Sequence, residues 1–253
     1  ENKDAIFEAM TDLPYPLEAI KALCDELPGD YFLRHLPLEV KWHVDTILAN
    51  PGESTVVNVL QAKRSRTTKV FVYCDEHPYV FSRVTGTLGA LGLSILNAEI
   101  FTTRTDKVMD TFIIQDHNNN AVTDIPTIRH IESSLKQALK SDGIYRSDTN
   151  KRIPRHLKAF NHPTKIKFEQ DYLNKRTVME ISSMDMPGLL SVIANVIATM
   201  EINITHAKIS TLGEKIDDIF YLTTPKGKNI TDQSVLDQLE ACLIEALKAM
   251  ITD

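Results

Sequence analysis

The sequence predicts an α+β protein made of two copies of one ββαββα sandwich, with a helical segment ahead of them. Three observations carry this prediction. The 253 residues are 43% apolar and 25% charged, enough for two domains with separate cores. A stretch around Glu76 recurs in register in the second half of the chain. Within each copy, short β-branched and aromatic runs alternate with segments whose apolar residues recur at helical spacing.

The repeat is read residue by residue. Glu76-His77-Pro78-Tyr79-Val80-Phe81-Ser82 aligns with Asp185-Met186-Pro187-Gly188-Leu189-Leu190-Ser191 at an offset of 109. The same offset pairs Ile95 with Ile204, Ala98 with Ala207, Ile100 with Ile209 and Thr102 with Thr211. At 108, Asp110 falls on Asp218, Phe112 on Phe220, Asp124 on Asp232 and Leu139 on Leu247. The one-residue change falls in a turn.

The elements follow in order. Leu17 to Leu27 and Leu38 to Leu48 have helical apolar spacing on either side of Pro28-Gly29, so residues 1–50 read as a helical connector. Ser54 to Gln61 and Lys69 to Cys74 read as strands, and the basic residues Lys63, Arg64, Arg66 and Lys69 as a solvated turn between them. Pro78 suits the first turn of a helix carrying Val80, Val84, Leu88 and Leu91. Strands over Ser94 to Thr102 and Val108 to Gln115 come next, and Thr123-Asp124 opens a helix through Leu139, closing a first unit of 54–141. Residues 142–163, with Gly143, Pro154 and several basic side chains, read as a linker.

The second unit, 164–253, repeats the series: strands at Lys165 to Gln170 and Thr177 to Ser182, then a helix carrying Leu190, Ile193, Ile197 and Met200. Strands at Asn203 to Ser210 and Ile216 to Thr223 turn at Gly213, and Thr231-Asp232 opens a last helix through Leu247. Little chain remains for a closing strand. The leading strand of each unit is therefore expected in the place that the last strand holds in an ordinary βαββαβ, ferredoxin-like sandwich. That arrangement requires Lys165 to Gln170 to pair with Thr177 to Ser182.

Composition narrows the function classes. A net charge of −6 gives no general attraction to nucleic acid or to an anionic membrane. Cys24, Cys74 and Cys242 are an odd set without CxxC spacing, which suggests neither a disulfide framework nor a zinc site and fits a reducing cytoplasm. No apolar run approaches the roughly 18 residues of a membrane helix. His35, His43 and His77 lack metal-ligand spacing and are expected in core or surface roles. The chain begins at Glu1 without methionine, as a piece of a longer protein does.

Asp185 to Leu190, reading D-x-P-G-L-L between a strand and a helix and followed by Ile202-Asn203-Ile204, resembles the ACT domain family. Further stretches narrow the likeness: Phe101-Thr102-Thr103-Arg104, Asp110-Thr111-Phe112, Ala207 to Thr211, Asp217-Asp218-Ile219-Phe220, and in the connector Tyr31-Phe32-Leu33-Arg34-His35 with Trp42-His43. Together they are similar to the C-terminal tandem ACT region of bifunctional uridylyltransferase/uridylyl-removing enzymes. The resemblance implies a parent with a nucleotidyltransferase domain and an HD phosphohydrolase domain, using Mg2+ and UTP and acting on the PII nitrogen-signalling protein. The sequence has no His-Asp doublet and no Gly-Ser pair leading to Asp-x-Asp, so this chain is expected to be catalytically silent, without cofactor or metal. Its implied effector is glutamine.

The expected site follows from helix-terminus chemistry. Unpaired N–H groups at a helix start receive a carboxylate, and Pro187-Gly188-Leu189 sits at such a start. Gly188 permits close backbone approach, and Asp185 can pair with an α-ammonium. In ACT proteins the ligand commonly lies between two domains, which adds Asn203 and His206 from the following strand. Copy one departs from the motif, with Glu76 for the aspartate and Tyr79 for the glycine ahead of Val80, while Asn97 can reach across a shared interface. Asp185 is equally a helix cap, and for His206 a packing role is the favoured reading. Two other functions stay open: a free-standing ACT-repeat binding protein, and an ACT pair used only for dimerisation or docking.

Overall fold

A computed structural model of the chain describes residues 2–29, 31–61, 65–141, 163–186, 188–212 and 215–252. Four helices come first: α1 (Asn2–Ala9), α2 (Leu17–Glu26), α3 (Tyr31–Arg34) and α4 (Pro37–Leu48). The first unit is β1 (Thr55–Gln61), β2 (Thr68–Asp75), α5 (Val80–Ala90), β3 (Ser94–Glu99), β4 (Lys107–Gln115) and α6 (Ile125–Leu139). The second is β5 (Lys165–Asp171), β6 (Arg176–Met184), α7 (Leu189–Thr199), β7 (Asn203–Lys208), a two-residue β8 (Thr211–Leu212), β9 (Lys215–Thr223) and α8 (Gln233–Thr252). The predicted linker over 142–162 and the turn residues Lys63, Arg64 and Gly213 lie outside the described residues.

The ββαββα expectation holds. All pairings are antiparallel in the order β1-β2-β4-β3-β7-β9-β6-β5, with β8 on β9. Each leading strand sits at an outer edge, and Lys165 pairs with Ser182 while Gln170 pairs with Thr177. The units join within one chain through β3 and β7, where Ala98 faces Ala207. These are the equivalent residues of the repeat, so the junction has the self-complementary form of a two-fold interface. The first turns of α5 and α7 meet over it, with the Ser191 hydroxyl donating to the Ser82 carbonyl at 3.1 Å.

Helices α5 to α8 cover one face of the sheet. Inward residues alternate along the strands, as Val70, Val72 and Cys74 do on β2 and Ile216, Phe220 and Leu222 on β9, and build one continuous apolar core. Asp124 caps α6 by accepting the Thr127 N–H at 2.9 Å, and Asp232 accepts the Ser234 N–H at 2.9 Å ahead of α8.

Among the described residues, helices α1 to α4 pack their apolar core on the other face, against the first unit. Their core holds Ile20, Tyr31, Phe32, Val40 and Val44 against Phe71 and Met109, with Tyr73 alongside. The repeat explains the choice of unit. Val56, Phe71, Tyr73 and Met109 correspond to Lys165, Glu180, Ser182 and Asp217, whose charges or hydroxyl make the second unit's outer face unfit to bury an apolar helix. Lys69 is not in a turn: it lies in β2 and pairs with Glu39 of α4 at 2.7 Å. His43 is fully buried, stacked on Phe71 at 4.2 Å, 2.5 Å from the Tyr31 hydroxyl and 3.2 Å from that of Thr111. Burial holds His43 well below its ordinary value, so it is a neutral core histidine.

Candidate functional site

The two strand-to-helix loops of the repeat are built alike. Val80 N–H donates to the His77 carbonyl at 3.2 Å, and Leu189 N–H to the Met186 carbonyl at 3.0 Å. Arg83 N–H and Val192 N–H then bond to the carbonyls of Tyr79 and Gly188. The loops differ at their N-caps: Gly188 is left-handed at φ 83, a conformation glycine adopts freely, whereas Tyr79 has φ −103. The Leu189 amide expected to meet a carboxylate is therefore already engaged.

A cavity of about 580 Å³ opens at the seam between the units. Copy one supplies Glu76, Val80 and Phe81 from its loop and Asp110 from β4; copy two supplies Asn203 at the start of β7 and the C-terminal half of α7. The connector adds Pro28 and Arg34. Of the predicted residues, Glu76, Val80 and Asn203 are thus brought together.

The others sit elsewhere. Asp185, Gly188 and Leu189 belong to the opposite, pseudo-symmetric end of the seam and do not line this cavity, nor does Tyr79. Pro187 lies outside the described residues. Asn97 and His206 pair with Ile113 and Tyr221, the strand parity that points away from α5 to α8, so strand alternation carries them to the connector side of the sheet. His206 sits 5.2 Å from the Tyr221 ring and is lowered to about 4, chiefly by burial and then by the Arg34 and Arg176 charges.

Asp110 and Arg34 were not among the predicted site residues. Asp110 is 1% exposed, and its Oδ1 has no hydrogen-bond partner. Burial raises its carboxyl well above the usual range, opposed by the Phe101 backbone and reinforced by Glu76. Glu76 is itself raised, by burial and by Asp106. The signal was available: an aspartate in the inward parity Val108, Asp110, Phe112, Ile114 has a polar group where core is required, and Asp218 repeats it.

Asp218 accepts the Ser210 N–H at 3.0 Å and is pushed up to about 7, by burial first and then by Asp185 and Asp217. Unfolded, it ionises near 3.8, so between those values the unfolded state releases a proton that the folded state keeps. Its contribution to stability is present below about pH 4 and lost as pH rises towards 7, by at most ~4 kcal/mol. Urea melts between about pH 4 and pH 8 should show stability falling more steeply with rising pH in the unaltered chain than in Asp218→Asn. Equal slopes contradict it.

Among the described residues, no three His, Cys, Asp or Glu side chains cluster as a metal site, and no helix is long and apolar enough to cross a membrane.

Comparison with known proteins agrees with this architecture. The "ACR family N-terminal ACT domain" matches residues 172–249 and the "ACT domain" matches 68–124. A bifunctional uridylyltransferase/uridylyl-removing enzyme of Pseudomonas entomophila (strain L48) is 30% identical over 235 residues, 91% of this chain and 26% of the relative. One from Pseudomonas aeruginosa (strain LESB58) is 32% identical over 231 residues, 89% of this chain and 26% of that enzyme. The chain thus spans about a quarter of the length of the curated relatives it matches. An aspartate kinase from Synechocystis overlaps 72% of the chain and 27% of its own at 13% identity and a TM-score of 0.39, too loose a likeness to inform the fold. The homology supports a regulatory ACT-domain role: with its two ACT units and a match that runs through the connector, the chain belongs with the tandem ACT-domain region of the bifunctional uridylyltransferase/uridylyl-removing enzymes.

Proposed function

We propose that the chain is the glutamine-sensing part of an enzyme that adds uridylyl groups to the PII nitrogen-regulatory protein and removes them, acting in the cytoplasm. The observation that carries this reading is the seam cavity, where the Glu76 loop, Asp110 and Asn203 converge between two ACT units. Glu76 receives the α-ammonium, and the Asn203 amide bonds the ligand backbone. Asp110, whose burial favours the neutral carboxyl, offers its unpartnered Oδ1 to the side-chain amide of the ligand. Glutamate is disfavoured because its second carboxylate would enter a lining that already holds the carboxylates of Glu76 and Glu201. Asparagine is one methylene shorter and leaves Asp110 unmet.

Glutamine then shifts the parent towards removal by binding its two states unequally, a coupling free energy between separate sites. The Mg2+ and UTP of the reaction belong to catalytic parts outside this cavity. Calorimetric titration of the chain should give heat with glutamine and at least roughly 10-fold weaker binding of glutamate and asparagine. Equal binding of all three contradicts glutamine sensing, and no binding of any favours a docking role for the ACT pair.

A further inference from the structure

Taking the seam cavity to hold an amino acid, we propose that Arg34 of the connector is its carboxylate-binding residue, so that ligand occupancy and the seating of helices α2 to α4 are coupled. The usual carboxylate receptor, a helix start, is partly engaged here and set among acids. At the start of α5 the Val80 N–H already bonds the His77 carbonyl, and the lining around it is acidic through Glu76 and Glu201. Those acids suit the ammonium end of a zwitterion and repel the carboxylate end. Arg34 and His77 supply the cavity's basic side chains. Of the two, the guanidinium offers the forked N–H pair that a carboxylate bonds with both oxygens.

Its position fits that task. The guanidinium carbon stands 5.6 Å from the centre of the Phe101 ring, at the cavity wall. Its charge also reaches Glu99 on β3 and His206 on β7, two residues that pair across the seam, so Arg34 lies over the junction of the units.

The coupling follows from where Arg34 is attached. It ends α3, whose Tyr31 and Phe32 are buried in the connector core, and His35 next to it lies 3.4 Å from both Glu39 of α4 and Glu99 of β3. The turn before β4 holds α2 as well: Arg104 N–H bonds the Glu26 carbonyl at 2.9 Å, and the Thr105 hydroxyl its carboxylate at 2.8 Å. A ligand gripped by Arg34 therefore stabilises the seated connector, and a displaced connector weakens the ligand by the same factor.

The test titrates the full chain with glutamine and with glutamine α-amide, whose carboxylate is replaced by a neutral amide. For the unaltered chain the α-amide should bind roughly 10- to 100-fold more weakly, the loss expected for a charged hydrogen-bonded pair. Arg34→Met and Arg34→Gln should each lose about the same factor for glutamine and no longer tell the two ligands apart. Arg34 is exposed, so both variants should keep the parent melting temperature. Hydrogen exchange of the unaltered chain should slow across residues 31–34 when glutamine is added. Glutamine binding within about twofold of the parent in both variants overturns the proposal, as does a surviving preference over the α-amide or unchanged exchange in α3. Failure of the unaltered chain to bind glutamine is a separate result, which removes the amino-acid reading and this inference with it.

Discussion

Ala207→Glu is expected to part the two units and abolish glutamine binding, at a cost of more than ~4 kcal/mol. Ala207 and Ala98 face each other at the centre of the β3–β7 pairing, both fully buried beneath the helices. A carboxylate there enters an apolar core with no partner and pushes apart strands that approach closely because both residues are alanine. The sheet then loses its central ladder, and the cavity loses Asn203 from its copy-one half. Urea unfolding, followed by far-ultraviolet circular dichroism, should change from one transition to two, one for each unit. A single transition within ~1 kcal/mol of the parent means the seam is not what joins them.

Phe71→Ala is expected to cost ~3–5 kcal/mol and to loosen α1 to α4 while leaving the seam intact. The Phe71 ring is fully buried, stacks on His43 and lies 5.7 Å from Trp42, so truncation opens a void between sheet and connector. The equivalent Glu180 of the second unit is on the outer face and carries no such load. Limited proteolysis should cut the variant first between residues 10 and 50, with the ACT units persisting as a resistant fragment. Uniform resistance contradicts a connector held by Phe71.

Most of the fold was legible because the repeat checks itself. A strand or helix proposed in one copy had to recur about 109 residues later, and the core parity of Phe112 with Phe220 and Leu139 with Leu247 fixed the register. The place of β1 and β5 was read from the strand that precedes each copy. Seating of the connector was not foreseen, although Phe71 against Glu180 records it, because the repeat was read for likeness and this information lies in a difference.

The site was legible in part. The D-x-P-G-L-L motif drew attention to Asp185 and Gly188, whereas the cavity is built on the plainer Glu76 loop, because the seam sets each loop against the other unit's strand. Asn97 and His206 face away from α5 to α8 because the register shifts beside them, between Ile95 and Asn97 and between Ile204 and His206, decide which side chains face the helices. Arg34 reaches the cavity through folding of the connector, which no local motif encodes.

The most direct measurement is a crystal structure of the chain grown with glutamine. The account predicts density in the seam cavity, with its ammonium end at Glu76, its backbone near Asn203 and its side-chain amide at Asp110. Glutamine bound only at the Asp185–Leu189 end of the seam, with this cavity empty, contradicts it.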